Sequence, residues 1–261
     1  MFLVYIAAGI SSRFGGKPKL LSKIGPNDET LIEVSMTQAL SCQYITNIHF
    51  LVNKNNFDEI KNYLKDSFKN IPITYSLQDI PENRTKPWGT ADAIASLKPY
   101  ITKSFILCNS DDLYGKKAFE KLINDNFNLI IPYKLGNTIP EEGKVNRGII
   151  TFNRNYVLEE ISEKLNIRKD DFTMKQLNDT LVSVNLFKFN EHIFDILNPK
   201  VEAFKEKYFD DNSKEALLPE FINEMIKRDN FEILCKVNND KCLGITFPED
   251  VENLKSKLSS I

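Results

Sequence analysis

Histidine and tryptophan are scarce in this chain of 261 residues: His49, His192 and Trp88 are all it has. Neither histidine stands near a serine or cysteine pattern of the kind a nucleophilic triad needs. The four cysteines (42, 108, 235 and 242) form no C-x-x-C pair and no metal spacing with the histidines. They read as reduced, mostly buried thiols, which suits a cytoplasmic protein. No apolar run approaches the length of a membrane span, and the short one at the start lacks the basic flank of a secretory leader. Charge of one sign is missing too. Lysine and arginine number 34 against 36 aspartates and glutamates, a net charge of −2. No basic field invites nucleic acid, so any anion site must be a local cluster. There is no internal repeat and no linker, so a single domain over 1–261 is expected, with a nucleotide-binding half over about 1–135 and a second half over about 136–261.

What is present concentrates in 7–21, AAGISSRFGGKPKLL. It follows Phe2 to Ile6, an apolar run short and β-rich enough to be a buried strand. Glycines at 9, 15 and 16 let backbone turn tightly and approach a ligand. Successive N–H groups in such a loop form a concavity for anions. Arg13 and Lys19 bring two positive charges to the same place. The arrangement suits a triphosphate, although neither G-x-x-x-x-G-K-[ST] nor G-x-G-x-x-G occurs; an ordinary solvated loop is the alternative.

Strand and helix then alternate. Asn27 or Asp28 can cap a helix to about Ala39. Ile48 to Val52 reads as a strand. Asn55 or Asn56 can cap a helix carrying Phe57, Ile60, Leu64 and Phe68, and Ile73 to Leu77 reads as a third strand. The pattern predicts an α/β fold with a mixed, mostly parallel sheet flanked by helices, binding its ligand beyond the carboxyl ends of strands. Thr90 is a candidate helix cap. Gln78 and the N–H groups of Gly89 and Thr90 could instead read a pyrimidine edge, since an amide offers both donor and acceptor. The strand Phe105 to Cys108 ends in Asn109-Ser110-Asp111-Asp112-Leu113-Tyr114-Gly115. Paired carboxylates there call for a cation, a divalent ion shared with substrate phosphates being the natural one; capping a helix over 116–126 is the alternative. Leu129 to Tyr133 reads as a strand, 136–147 as a polar insertion and 149–152 as a strand. Gly148 before it either turns the chain or lets a sugar hydroxyl approach. Glu163 and Lys164 alone read as a solvated pair. Leu181 to Phe189 reads as one strand with Asn185 inside it, which must find a partner there. Leu217 to Ile226 is an apolar stripe for core or subunit contact, leaving a homo-oligomer open, and a proline-initiated helix ends the chain.

Taken in order, these stretches resemble the sugar-phosphate nucleotidyltransferases, also called nucleoside-diphosphate-sugar pyrophosphorylases. The resemblance rests on Ala7-Ala8-Gly9, Ser12-Arg13 and Pro18-Lys19, then Gly89-Thr90-Ala91, the string 109–115, Gly148, Glu163-Lys164 and 241–250. It implies a Rossmann-like, GT-A-like nucleotidyltransferase fold. It implies nucleotide binding by Ala8, Gly9, Ser11, Ser12, Gln78, Gly89 and Thr90, magnesium on Asp111, sugar contacts from Gly148, Glu163 and Asn185, and the sugar phosphate on Lys164. Many members carry a second metal-binding aspartate just before the last helix, and here 242–246 has no carboxylate. The activity implied is attack of a hexose 1-phosphate, of glucose or N-acetylglucosamine type, on the α-phosphorus of UTP, or next dTTP. Arg13 and Lys19 would stabilise the charge, Lys164 would hold the attacking phosphate, and pyrophosphate would leave. Two alternatives stand beside it: a cytidylyltransferase for a non-sugar phosphorylated acceptor, and a non-catalytic sensor of nucleotide or sugar phosphate.

Overall fold

The computed structural model describes residues 1–9, 14–122, 126–140, 143–245 and 248–258. Arg13, Ser11 and Ser12 lie outside them. The chain opens with β1 (Phe2–Ala7), buried over most of its length. α1 (Leu31–Ala39) follows, and its cap corrects the expectation of Asn27 or Asp28. Glu33 accepts from both the backbone N–H and the hydroxyl of Thr30, a capping arrangement three residues further on. Next come β2 (Asn47–Val52), α2 (Phe57–Leu64), β3 (Ser67–Phe68) and β4 (Ile71–Leu77). Phe68 is therefore in a short strand and not on the helix, because Lys65, Lys69 and Asn70 take positive φ and turn the chain back.

α3 (Thr90–Ala95) starts one residue earlier than a Thr90 cap would allow. Gly89, at φ +121°, is the cap, and the Thr90 hydroxyl instead accepts from the N–H of Leu218. β5 (Phe105–Asn109) runs into β6 (Asp112–Leu113) and α4 (Lys116–Glu120). Gly115 stands at the cap of α4, so neither aspartate caps that helix. The expected strand at 129–133 is two pieces in different sheets, β7 (Asn128–Ile130) and β8 (Tyr133–Lys134), separated by Pro132, which has no N–H for a ladder. β9 (Val145–Phe152), β10 (Leu158–Ile167) and α5 (Met174–Asp179) follow. Leu181 to Phe189 is likewise not one strand. It divides into β11 (Leu181–Ser183) and β12 (Phe187–Phe189), in different sheets, with Asn185 at φ +60° in the break. Asparagine tolerates that left-handed conformation better than most residues. The chain closes with α6 (Ile193–Lys207), α7 (Leu218–Asp229, with Pro219 in its first turn), β13 (Ile233–Cys235), β14 (Leu243–Gly244) and α8 (Asp250–Leu258).

Eight strands make the central sheet in the order β13-β7-β12-β5-β1-β2-β4-β3. The β5-β1-β2-β4 run is parallel, and β12 is antiparallel to both β5 and β7. Two large apolar clusters flank this sheet. One contains Val4, Leu107, Phe187 and the faces of α3, α6 and α7; the other contains Tyr5, Phe50, Ile106 and the faces of α1 and α2. A second sheet, β10-β9-β11-β8, carries a smaller cluster around Leu135, Val145 and Val182. Leu217 to Ile226 is core, since Leu218, Phe221, Ile222 and Met225 are buried in the first cluster. Trp88 is buried too, edge-on to Phe204 with the Arg84 guanidinium 3.6 Å from its ring centre. All four cysteines are buried and unpaired. Among the described residues no helix is long and apolar enough to cross a membrane.

Candidate active site

β1 and β5 are neighbours in register, with Ile6 opposite Asn109. Their carboxyl ends therefore deliver the loop after Ala7 and the run 109–112 to one place. β2, on the other side of β1, fastens that loop. Asn53 Nδ2 donates to the carbonyls of Ala8 (3.0 Å) and Gly9 (3.2 Å), and Asn56 Nδ2 donates to Ala7 O at 2.7 Å. The sequence marked Asn56 only as a helix cap, and Asn53 was missed. Both are buried asparagines at the end of a parallel strand, where a buried amide must find backbone partners. A side chain added at Gly9, Gly15 or Gly16 would meet nothing within 4 Å; Gly15 and Gly16 owe their identity to φ values of +62° and +84°.

Lys19 follows in a short 3-10 turn, Lys19–Leu21, whose Leu20 is buried and fixes its direction. Its ammonium lies 3.3 Å from Asp111 Oδ2 and 3.4 Å from Ile245 O. Asp111 keeps 36% of its side-chain exposure. Asp112 beside it is more enclosed. Burial and the neighbouring Asp111 charge push its carboxyl up to about 6, against the pull of Arg147, Asn109 and Lys19. Asn109 Nδ2 donates to Asp112 Oδ2 at 2.8 Å, and Asn185 Nδ2 reaches Asn109 Oδ1 at 3.4 Å. Asn185 thus finds its partner in the carboxylate network. β14 pairs with β6, setting Gly244 opposite Asp112. A Cβ on Gly244 would come within 2.3 Å of Asp112 Oδ1, so the Asp112 carboxylate occupies the room that glycine leaves. Tyr114 explains the aromatic position of the 109–115 string: its hydroxyl accepts from the Asn109 N–H and donates to Val184 O.

Beyond the two aspartates opens a cavity of about 830 Å³ between residues 136–140, the start of β9 and one side of α8, lined also by Arg147, Lys241, Glu249 and Asp250. Among the described residues no three His, Cys, Asp or Glu side chains gather into a cage for a metal ion.

The other expected residues are distributed around this centre. Gln78 is buried and turned inward, its amide donating to Asp92 Oδ2 (3.0 Å) and Gly89 O (3.3 Å). It braces the Gly89 turn, where a Cβ would sit 2.7 Å from Ala216 O. Gly148 and Glu163 face each other across β9 and β10. A Cβ at 148 would strike Ile161 Cγ2 at 2.5 Å and touch Glu163 Oε1 at 3.4 Å, so glycine there admits both neighbours. Burial raises the Glu163 carboxyl, Arg147 opposes that shift and Glu220 adds to it. Successive residues of a strand point to opposite faces, so Lys164 leaves on the other side, its ammonium 4.7 Å from the centre of the Phe172 ring.

No protein-family model matches the sequence, and neither does any curated protein. Solved structures do match. The inositol-1-phosphate CTP transferase from T. maritima superposes with a TM-score of 0.67 at 16% identity, over 99% of this chain and 96% of that one. A protein described as a glucose-1-phosphate thymidylyltransferase from Bacillus anthracis, solved in complex with a sucrose, superposes with a TM-score of 0.70 at 14% identity, over 100% of this chain and 96% of that one. The chain therefore has the fold found in these nucleotidyltransferases, over its whole length.

Proposed function

We propose that the protein is a nucleotidyltransferase that joins the nucleotide of a pyrimidine nucleoside triphosphate to a phosphorylated polyol, a sugar 1-phosphate above all, with release of pyrophosphate. The observation that carries this reading is the meeting of Lys19 with Asp111 at the adjoining ends of β1 and β5. A fixed ammonium, a pair of carboxylates and a stapled glycine-bearing loop are what two mutually repelling phosphate reactants need. The fold shared with a CTP transferase for inositol phosphate and a glucose-1-phosphate thymidylyltransferase supports it. The first of these adds cytosine to the uracil and thymine expected from the sequence, and adds inositol phosphate as an acceptor.

One acceptor phosphate oxygen would form a bond to the α-phosphorus while the bond from that phosphorus to the bridging oxygen breaks and pyrophosphate leaves. The protein's task is to neutralise and align. Lys19 supplies charge to the triphosphate, with Arg13 assigned the same work from the sequence. Asn53 and Asn56 hold the carbonyls of Ala7, Ala8 and Gly9 at the end of β1. Glu163 would accept from polyol hydroxyls. The donor set fits magnesium: two adjacent carboxylates at a strand end, one of them pushed up to about 6 by burial and by the charge of the other, invite a cation, and magnesium commonly binds one or two carboxylates and completes its shell with water and phosphates. Asp111 and Asp112 would hold it, and when bound it would spread and neutralise phosphate charge.

The test is pyrophosphate release with magnesium across UTP, dTTP, CTP and a purine triphosphate. Each is paired with glucose, N-acetylglucosamine, galactose and mannose 1-phosphates, inositol phosphate and phosphocholine. One productive pair establishes the reaction and names its substrates. Tight binding of a triphosphate with no release from any pair, forwards or in pyrophosphorolysis of nucleotide sugars, would mark a sensor and overturn the proposal.

A further inference from the structure

On the transferase reading, the acceptor brings its phosphate beside Asp111 and Asp112, and a cation must receive it there. Two cations compete. Arg147 and Lys164 lie directly opposite each other in the β9–β10 register. Cross-strand partners share a face of the sheet, and two like charges on one face repel. The Lys164 ammonium goes to the Phe172 ring and is not among the groups that line the large cavity. Arg147 lines that cavity together with Asp111, Asp112 and Lys241. Its guanidinium is tethered on one side: Nε donates to Thr138 Oγ1 (3.2 Å), Nη2 to Thr138 O (2.6 Å) and Nη1 to Asn146 O (2.9 Å). A guanidinium has five N–H groups, so two remain. Among the described residues no carboxylate comes close enough to Arg147 to form an ion pair with it. Arg147 stands in the same cavity as the carboxylate pair at the phosphoryl centre. A cation anchored by neutral groups, with no carboxylate partner among the described residues, beside a carboxylate pair and in a cavity roomy enough for a sugar phosphate, has the features of a phosphate seat.

We propose that Arg147, aimed by Thr138, binds the phosphate of the acceptor, and that Lys164 does not. The stretch 136–140 before β9 then has a task, since it carries the residue that aims the arginine. The inference rests on the transferase reading, and the experiment separates the two. With the productive pair from the panel, acceptor KM, nucleotide KM and kcat are measured for wild type, Arg147→Met, Arg147→Lys, Thr138→Val and Lys164→Met. Thermal melts confirm that each variant is folded, and Arg147→Gln replaces Arg147→Met if the latter is not. Arg147→Met should raise acceptor KM about tenfold to a hundredfold, the scale of a lost charged hydrogen bond, with nucleotide KM unchanged. Arg147→Lys should recover part of the loss, and Thr138→Val should show a smaller rise. A rise with Lys164→Met and none with Arg147→Met overturns the assignment, as does an Arg147→Met loss shared equally between acceptor and nucleotide. A wild type silent with every pair overturns the transferase reading and this inference together.

Discussion

Lys19 meets three different groups within reach of one ammonium: a carboxylate, a main-chain carbonyl and, at 5.8 Å, the Phe14 ring. Removing it should cost more than one contact. Lys19→Ala is expected to lower kcat by at least about a hundredfold, the scale of one lost electrostatic donor in a transition state; turnover near wild type would remove Lys19 from the chemistry. Two titrating residues give opposite pH signatures. The folded Asp112 carboxyl sits at about 6 against an ordinary 3.8. The folded state therefore binds that proton more readily, and the stability it contributes at low pH is lost as pH rises through about 6. In chelator, Asp112→Asn should be more stable than wild type at pH 8 by up to about 2–3 kcal/mol, with the difference fading toward pH 4. His49 is held at about 4 by burial between Thr74 and Ser76, each 2.8 Å from a ring nitrogen. Its contribution is full above 6.5 and declines as pH falls toward 4, so His49→Gln should flatten the acid side of a urea-midpoint profile. Individual roles were only partly legible in the sequence. The meeting of Asp111 and Lys19 was signalled by a carboxylate pair at the end of an apolar strand and a lysine in the glycine-rich loop. Gln78 could not be placed, since a buried amide reads the same whether it faces a base or a carbonyl.

At the scale of elements, the sequence showed existence better than boundaries. The parallel strands Asn47–Val52, Ile71–Leu77 and Phe105–Asn109 stand where apolar runs predicted them. One failure shows a cause that the sequence hides. Val184 and Leu186 are buried on either side of Asn185, so the run looks like one strand, and only its φ of +60° shows that the chain changes sheets there. Tertiary pairing decides such breaks, and local composition does not record it. The α3 cap turns on the same kind of information. Gly89 is needed because Ala216 crosses it, the Ala216 N–H donating to Trp88 O and the Ala91 N–H to Ala216 O. Gly89→Ala forces a Cβ toward that backbone at a φ that side chains avoid. It should cost about 1–3 kcal/mol in a denaturant titration and raise nucleotide KM; an unchanged melt would show that the crossing segment yields freely.

At the scale of the whole molecule, alternation of strand and helix foretold a mostly parallel sheet, and the structure has one in β5-β1-β2-β4. The antiparallel β12, returning between β5 and β7, was not foretold, because strand order depends on which distant segments pair. The site inherits that non-local character. Asp111 is 92 positions from Lys19 and Ile245 is 226 positions from it. The carbonyl that helps hold the lysine is thus made long after both the lysine and Asp111. Until then the β1 loop and Asp111 already exist, but β14 cannot yet pair with β6 over the Asp112 carboxylate. Assembly of the centre waits for 243–245, and a chain interrupted before 243 would present the lysine and both aspartates without the strand that closes over them.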